Sequence, residues 1–257
     1  MPPTPHPAAK RPPHTAVGRP TRSGNFRFSA AHFLIALVLL FILTPVAELF
    51  PGGETVEGAM MTLVLVTGVL AVGRRRRTRV AGVALLVPAL IIKWLSLYYH
   101  DPLLQEIYLV FALIFIAFVI LELILFVLRA PRVNSEVLCA GVSGYLLLGL
   151  AWGFGYMLVA LLNPMDATHP GAFAFSPAAP HILQGFEAYY FSFITLATVG
   201  YGDITPVSIG ARSLAMTEVM TGTLYVAVLI SRLVALYSSA SQTASEGDQH
   251  DKNAADH

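Results

Sequence analysis

The strongest constraint on the fold is a series of apolar runs, each near the length that crosses a bilayer. An α-helix rises about 1.5 Å per residue, so about 20 apolar residues span a hydrocarbon core of about 30 Å. Six such runs stand at about residues 31–50, 56–73, 80–99, 106–129, 137–162 and 208–237. A further stretch at about 184–197 is too short to cross and reads as a re-entrant half-helix. Composition agrees: 56% of the 257 residues are hydrophobic and 12% charged, against about 25% charged in a soluble domain. The pattern predicts an all-α integral membrane protein in a lipid bilayer. No nucleophile–base or metal-ligand constellation stands out, so neither an enzyme nor a cofactor is expected. A net charge of +1 gives no footprint for nucleic acid.

Charge in the connections orients the spans. Residues 1–30 are rich in proline and basic residues, lack acids, and read as a disordered cytoplasmic tail rather than a cleaved signal. Arg74, Arg75, Arg76, Arg77 and Arg79 follow the second span, and Arg129 and Arg132 follow the fourth. The alternate connections carry Glu54 and Glu57, then Asp101 and Glu106, then Asp166 and Glu187. Basic loops fall on one side and acidic loops on the other, which predicts a cell-membrane protein with both termini cytoplasmic. The arginine run marks the inner side, and clustered arginines can also bind anionic lipid. Tyr98 and Tyr99 suit an outer aromatic belt, and Cys139, the single cysteine, suits a small packing position. Lys93 and Glu48 either pair across the bundle near the outer leaflet or Lys93 snorkels alone. His169 and His181, in the Pro-rich outer loop, read as solvated rather than as metal ligands.

Between the half-helix and the last span lies "SFITLATVGYGDITP", Ser192 to Pro206. Irregular backbone at membrane depth is tolerated only inside protein or along a water-filled path. A cation leaving water needs its hydration oxygens replaced, and backbone carbonyls do this without fixed charge. Successive carbonyls face one way if residues alternate between ordinary and positive φ, a freedom that Gly200 and Gly202 supply at a spacing of two. Val199 and Tyr201 then point away and anchor the strand, Thr198 adds a hydroxyl at the inner end, and Asp203 marks the outer mouth.

"TLATVGYGD" resembles the selectivity-filter signature of potassium channels. "YLLLGLAWGFGY", from Tyr145, and "ARSLAMTEVMTGTLYVAVLISRLVAL", from Ala211, resemble the outer and inner helices of bacterial two-helix ion-channel domains. The resemblance covers about residues 137–238 and implies a potassium-channel pore module, assigned here to 133–238, behind a four-helix bundle at 31–132. It implies K+ as the transported ion, held by Thr198, Val199, Gly200 and Tyr201 ahead of Gly202 and Asp203. One strand cannot surround an ion, so a tetramer, most simply a homotetramer, around a central pore is expected. Tyr190, Phe191, Ile194 and Thr195 would support the filter. Many relatives carry two tryptophans where this chain has Tyr190 and Phe191. Tyr190 keeps a hydroxyl to offer Asp203, whereas Phe191 is left to pack on Tyr201. Ile194 replaces a glutamate found in some relatives, and Ala197 a threonine. Gly222 falls where many relatives carry a hinge, though close packing explains a helical glycine equally well. From it, Thr223, Val226, Ile230 and Val234 follow on one face, which either lines an inner cavity and gate or packs on the fifth span. Glu218 lies at membrane depth, where it hydrogen-bonds behind the filter, faces the cavity, or is simply buried as a neutral or paired acid.

Six spans resemble the layout of voltage-gated channels, but a sensor needs several basic residues in the fourth span. Each charge moved is worth only about 2.3 kcal/mol per 100 mV. "EIYLVFALIFIAFVILELILFVLR" has none before Arg129 and carries Glu122 inside, so little intrinsic voltage gating is expected. Residues 239–257 are polar and read as a disordered cytoplasmic tail. A regulatory or silent channel subunit, or a membrane sensor or scaffold built on a pore module, are the alternative functions.

Overall fold

A computed structural model describes residues 30–72, 76–99, 101–164, 171–176 and 183–255. The elements, in order, are α1 (Ala30–Ala47), α2 (Gly53–Val72), α3 (Arg76–Tyr99), α4 (Pro102–Arg129) and α5 (Ser135–Leu162). They continue with β1 (Phe173–Phe175), α6 (Gly185–Leu196), β2 (Ile204–Pro206) and α7 (Ile209–Ala255). Among the described residues, α1 to α5 and the Ile209–Ser238 part of α7 are long and apolar enough to cross a membrane. The fold is therefore the all-α membrane architecture that the apolar runs predict, with α6 as the short insertion.

Helix ends follow from local chemistry. The Asp101 side chain accepts from Leu103 N at 2.9 Å, with Pro102 in the first helical position, and this starts α4. Asn134 does the same for α5 through Val137 N at 2.9 Å. Residues 1–29, Arg74, Arg75, His169 and His181 lie outside the described residues. Arg76, Arg77 and Arg79, read from sequence as loop, belong to the first turns of α3. Arginine is a good helix former, and no proline or glycine intervenes to stop the helix there.

The polar segment after Ser238 also departs from expectation: α7 continues as helix to Ala255 instead of ending in a disordered tail. The segment lacks proline, and extending an existing helix avoids the nucleation cost that makes short isolated helices unstable. A third departure lies before the half-helix, where β1 pairs antiparallel with β2 in the register Phe173↔Pro206, Ala174↔Thr205 and Phe175↔Ile204. The connection before α6 is thereby tied to the strand that leaves the TVGYGD segment.

Helix α5 is the hub, packing against α1, α4, α6 and α7. It can do so because small residues face its neighbours. A Cβ on Gly141 would stand 2.8 Å from Leu229 Cδ1, and one on Gly144 2.2 Å from Tyr225 Oη, both on α7. A Cβ on Gly149 would stand 2.5 Å from Phe193 Cζ, and one on Gly153 2.9 Å from Tyr189 Cδ1, both on α6. Small residues bring helix backbones close in a bilayer, where no hydrophobic force drives helices together. Tyr225 uses that approach to donate to Gly141 O at 2.7 Å. Midway along α7, one Arg232 nitrogen donates to Leu128 O at 2.8 Å and Ala130 O at 3.0 Å, satisfying carbonyls at the end of α4.

Gly155 has nothing within 4 Å of a built Cβ and serves as an internal control. Gly144→Ala is expected to destabilise the protein by about 1–3 kcal/mol through overpacking. Gly155→Ala is expected to be neutral or stabilising by up to about 1 kcal/mol. Thermal unfolding of the two variants in one detergent checks the difference.

Candidate ion-conduction site

The site is built around both ends of α6. At its start, Gln184 makes no side-chain cap. The acceptor comes from another helix: Glu48 Oε1, just after α1, takes a hydrogen bond from Phe186 N at 3.1 Å. A carboxylate there also suits the positive end of the helix dipole. One turn on, Tyr189 donates to Glu57 Oε1 of α2 at 3.1 Å. The sequence suggested Glu48 as a partner for Lys93. Among the described residues that ion pair is not formed, and Lys93 Nζ instead lies 5.0 Å over the Tyr108 ring.

At the end of α6, the chain turns back on its own last carbonyls. Thr198 N donates to Thr195 O at 2.9 Å, and Val199 N and Gly200 N both donate to Ile194 O, at 2.8 and 3.2 Å. Ile194 and Thr195 thus act through backbone oxygens. Gly200 has φ +58° and Gly202 φ +82°, and Thr198 is left-handed too at φ +59°. Positive φ at 198, 200 and 202, separated by the ordinary φ of Val199 and Tyr201, is the alternation that turns successive carbonyls one way. Thr198 was not foreseen in this role, because a threonine gives no sign of a left-handed backbone. Val199 and Tyr201 are 51% and 71% exposed, so neither is anchored within a single chain.

Asp203 is fixed from two sides. Tyr190 donates to its Oδ2 at 2.7 Å, and Ser176 N donates to its backbone oxygen at 2.7 Å. The bond to Asp203, with burial second, pushes the Tyr190 hydroxyl up to about 12, so it stays a donor near neutral pH. Burial, then Glu48 and Asp203, pushes the Glu187 carboxyl above the usual range. Among the described residues of one chain, Phe191 makes no ring contact with Tyr201. Its ring meets Tyr156 at 4.8 Å and Phe173 at 5.5 Å, both edge-on, because β1 brings Phe173 beneath α6.

Glu218 of α7 is fully buried behind α6. It accepts from Tyr156 of α5 through Oε2, and its Oε1 lies 2.5 Å from Ser192 Oγ of α6. Ser192 Oγ also lies 2.7 Å from Gly149 O. A serine carries one hydrogen, and a carbonyl can only accept. If Ser192 donates to Gly149 O, the contact to Glu218 is a hydrogen bond only when Glu218 carries a proton on Oε1. The neutral acid therefore satisfies all three contacts, and it joins α5, α6 and α7 at one point. Glu218 is thus both hydrogen-bonded to α6 and buried as a neutral acid, two of the sequence alternatives at once, and it is 0% exposed on the chain.

Gly222 packs beneath the end of α6: an added Cβ would stand 2.6 Å from Leu196 Cδ1 and 2.9 Å from Leu196 O. Close approach accounts for this glycine, and α7 runs through it without a break. Thr223, Val226, Ile230 and Val234 are all exposed on the single chain, Val226 at 38% and Val234 at 59%. The face that packs on α5 instead carries Tyr225 and Leu229. Among the described residues, no group of three or more His, Cys, Asp or Glu is gathered to hold a metal ion.

A family profile described as "Ion channel" matches residues 145–239. Protein LctB of Bacillus caldotenax is 31% identical over 103 residues, which cover 40% of this chain and 74% of that protein. Two pore potassium channel c of Oryza sativa subsp. japonica is 38% identical over 68 residues, 26% of this chain and 14% of that one. The voltage-gated potassium channel Kch of Escherichia coli is 34% identical over 79 residues, 30% of this chain and 19% of that one. Similarity to the plant and Escherichia coli channels thus spans less than a fifth of their lengths. The re-entrant helix between two spanning helices defines an ion-channel pore module. The chain belongs to the ion-channel family that this profile describes.

The hydrogen count around Glu218 has a direct consequence. Glu218→Gln, which keeps one donor and one acceptor, is expected to unfold at nearly the wild-type temperature. Glu218→Ala orphans the Tyr156 hydroxyl, leaves Ser192 only Gly149 O, and is expected to cost about 1–3 kcal/mol. Parallel melting curves check the order; a glutamine variant as unstable as the alanine variant would mean that Glu218 is not a neutral acid.

Proposed function

We propose that the protein is a subunit of a potassium-selective channel that conducts K+ passively, as a tetramer, with little intrinsic voltage dependence. The observation that carries this reading is the positive φ at residues 198, 200 and 202, next to an α6 end whose carbonyls are already satisfied. Such a backbone offers the carbonyls of Thr198, Val199, Gly200 and Tyr201 to an ion in place of water. The potassium channels named among the relatives support K+ as the ion.

One chain supplies one side of a coordination shell, and the exposure of Val199 and Tyr201 leaves both free to pack against a neighbouring copy. A homotetramer with cyclic symmetry completes the shell. Asp203 and Glu187 then draw cations to the mouth. The stripe of Thr223, Val226, Ile230 and Val234 faces the pore axis, with Ile230 or Val234 as an apolar constriction. The basic ends of the spans face the cytoplasm under the positive-inside rule, with both termini on that side. Helix α4 has no basic residue before Arg129, so it offers the membrane field no positive charge inside the span.

Purified protein reconstituted alone in liposomes is expected to pass K+ much faster than Na+ in a flux assay. Equal rates for the two ions would sink the selectivity. Gly200→Ala forces a Cβ onto a left-handed residue and is expected to abolish flux while leaving the oligomer intact by native mass. Normal flux from that variant would remove residues 198–203 from the conduction path.

A further inference from the structure

A cavity of about 830 Å3 opens at the end of the bundle that carries the acidic connections. It lies between the four-helix bundle and the start of α6, away from residues 198–203. Its volume falls within the range of about 300–1,000 Å3 typical of small-molecule sites. Three carboxylates line it, from Glu48, Glu54 and Glu57, against one ammonium, Lys93. Glu48 and Glu57 converge on Gly185: a Cβ there would stand 3.1 Å from Glu48 Oε1 and 3.5 Å from Glu57 Oε2. Among the described residues no cation lies within ion-pair distance of either, since Lys93 is held over the Tyr108 ring. Two neighbouring carboxylates without a cation are an unbalanced arrangement that a positive ligand relieves.

A second feature points to a ligand independently. Tyr108 lines the same cavity and is 4% exposed, and its hydroxyl has no hydrogen-bond partner among the described residues. Buried hydroxyls are seldom left unsatisfied, and each one so left costs about 1–3 kcal/mol. Phe154 and Tyr189 add aromatic wall, which suits an organic cation. Among the described residues the acids form no group of three or more that could hold a metal ion.

We propose that this cavity binds a small organic cation, an aliphatic amine. Its ammonium groups go to Glu48, Glu54 and Glu57, and one of its polar atoms meets the Tyr108 hydroxyl. Glu48 and Glu57 are also the acceptors that hold Phe186 N and the Tyr189 hydroxyl of α6. An ammonium that competes for these oxygens loosens the hold on α6, whose other end carries residues 198–203. Binding and conduction are linked through that helix, a step that rests on the channel function proposed above.

The probe is 1,4-diaminobutane, titrated calorimetrically into the full chain in detergent at constant ionic strength, with succinate as the anionic control. Saturable binding of the diamine and none of succinate is expected. Among the described residues no hydrogen bond joins Glu54 to α6, and Tyr108→Phe removes only a hydroxyl without a partner there. Glu54→Gln and Tyr108→Phe are each expected to weaken binding about tenfold, the worth of one hydrogen bond to a charged group. Neither is expected to lower the unfolding temperature. Absence of saturable diamine binding, or equal binding by wild type and both variants, overturns the site. In liposomes, the diamine is expected to change K+ flux in wild type and to act about tenfold more weakly in the variants. An effect on flux that survives both substitutions, or intact binding with unchanged flux, overturns the link to α6. Intact binding in protein that passes no ion at all counts against the channel function and leaves the cavity standing.

Discussion

The structure depends on how closely α5 lets its neighbours approach. Gly141 and Gly144 receive Leu229 and Tyr225 of the inner helix, and Gly149 and Gly153 receive Phe193 and Tyr189 of the re-entrant helix. In a bilayer, lipid tails satisfy apolar side chains as well as protein does, so shape and polar contacts must hold helices together. Close approach supplies both. It lets the Gly141 and Gly149 carbonyls reach the Tyr225 and Ser192 hydroxyls across the interface. A helix of larger residues would push α6 and α7 outward and break these bonds together with the Glu218 contacts.

That rigidity bears on the 198–203 segment. Left-handed φ at Thr198 is costly for a β-branched residue and persists only where the surroundings over-determine it. Here they do. The Ile194 and Thr195 carbonyls hold the inner end, and Tyr190, Ser176 and the β1–β2 ribbon hold Asp203 at the outer end. The strain sits in a short backbone segment clamped at both ends, and the clamps come from α6 and the outer connection rather than from the segment itself.

Much of this was legible in the sequence because membranes impose simple rules. The apolar runs located the helices to within a few residues, since backbone polar groups in lipid leave few alternatives to a helix. The glycines of TVGYGD disclosed their conformation, because few residues besides glycine readily adopt positive φ. Contacts between distant segments were not legible. Nothing local tells Glu48 that its acceptor role is to Phe186, or Glu218 that its partners are Tyr156 and Ser192. Phe173–Phe175 was hidden because a three-residue strand has too little periodicity to show. The helix beyond Ser238 is hidden because polar composition alone points to disorder, although the segment is free of proline and continues an existing helix.

The four N-terminal helices acquire a physical role from where they touch the pore module. At the acidic end, Glu48 and Glu57 accept from the first turns of α6. At the opposite end, Arg232 of α7 donates to the last carbonyls of α4. These attachments are directional: carboxylate to helix start in one case, guanidinium to helix end in the other, each matching the sign of the terminus it meets. A bundle that only shielded the pore from lipid would need apolar contact alone. Polar bonds at both ends instead make any tilt of α1–α4 against α5 change the hydrogen bonding of α6 or of α7. The bundle therefore has the connections of a lever on the pore module, although α4 carries no basic residue before Arg129 for a membrane field to pull.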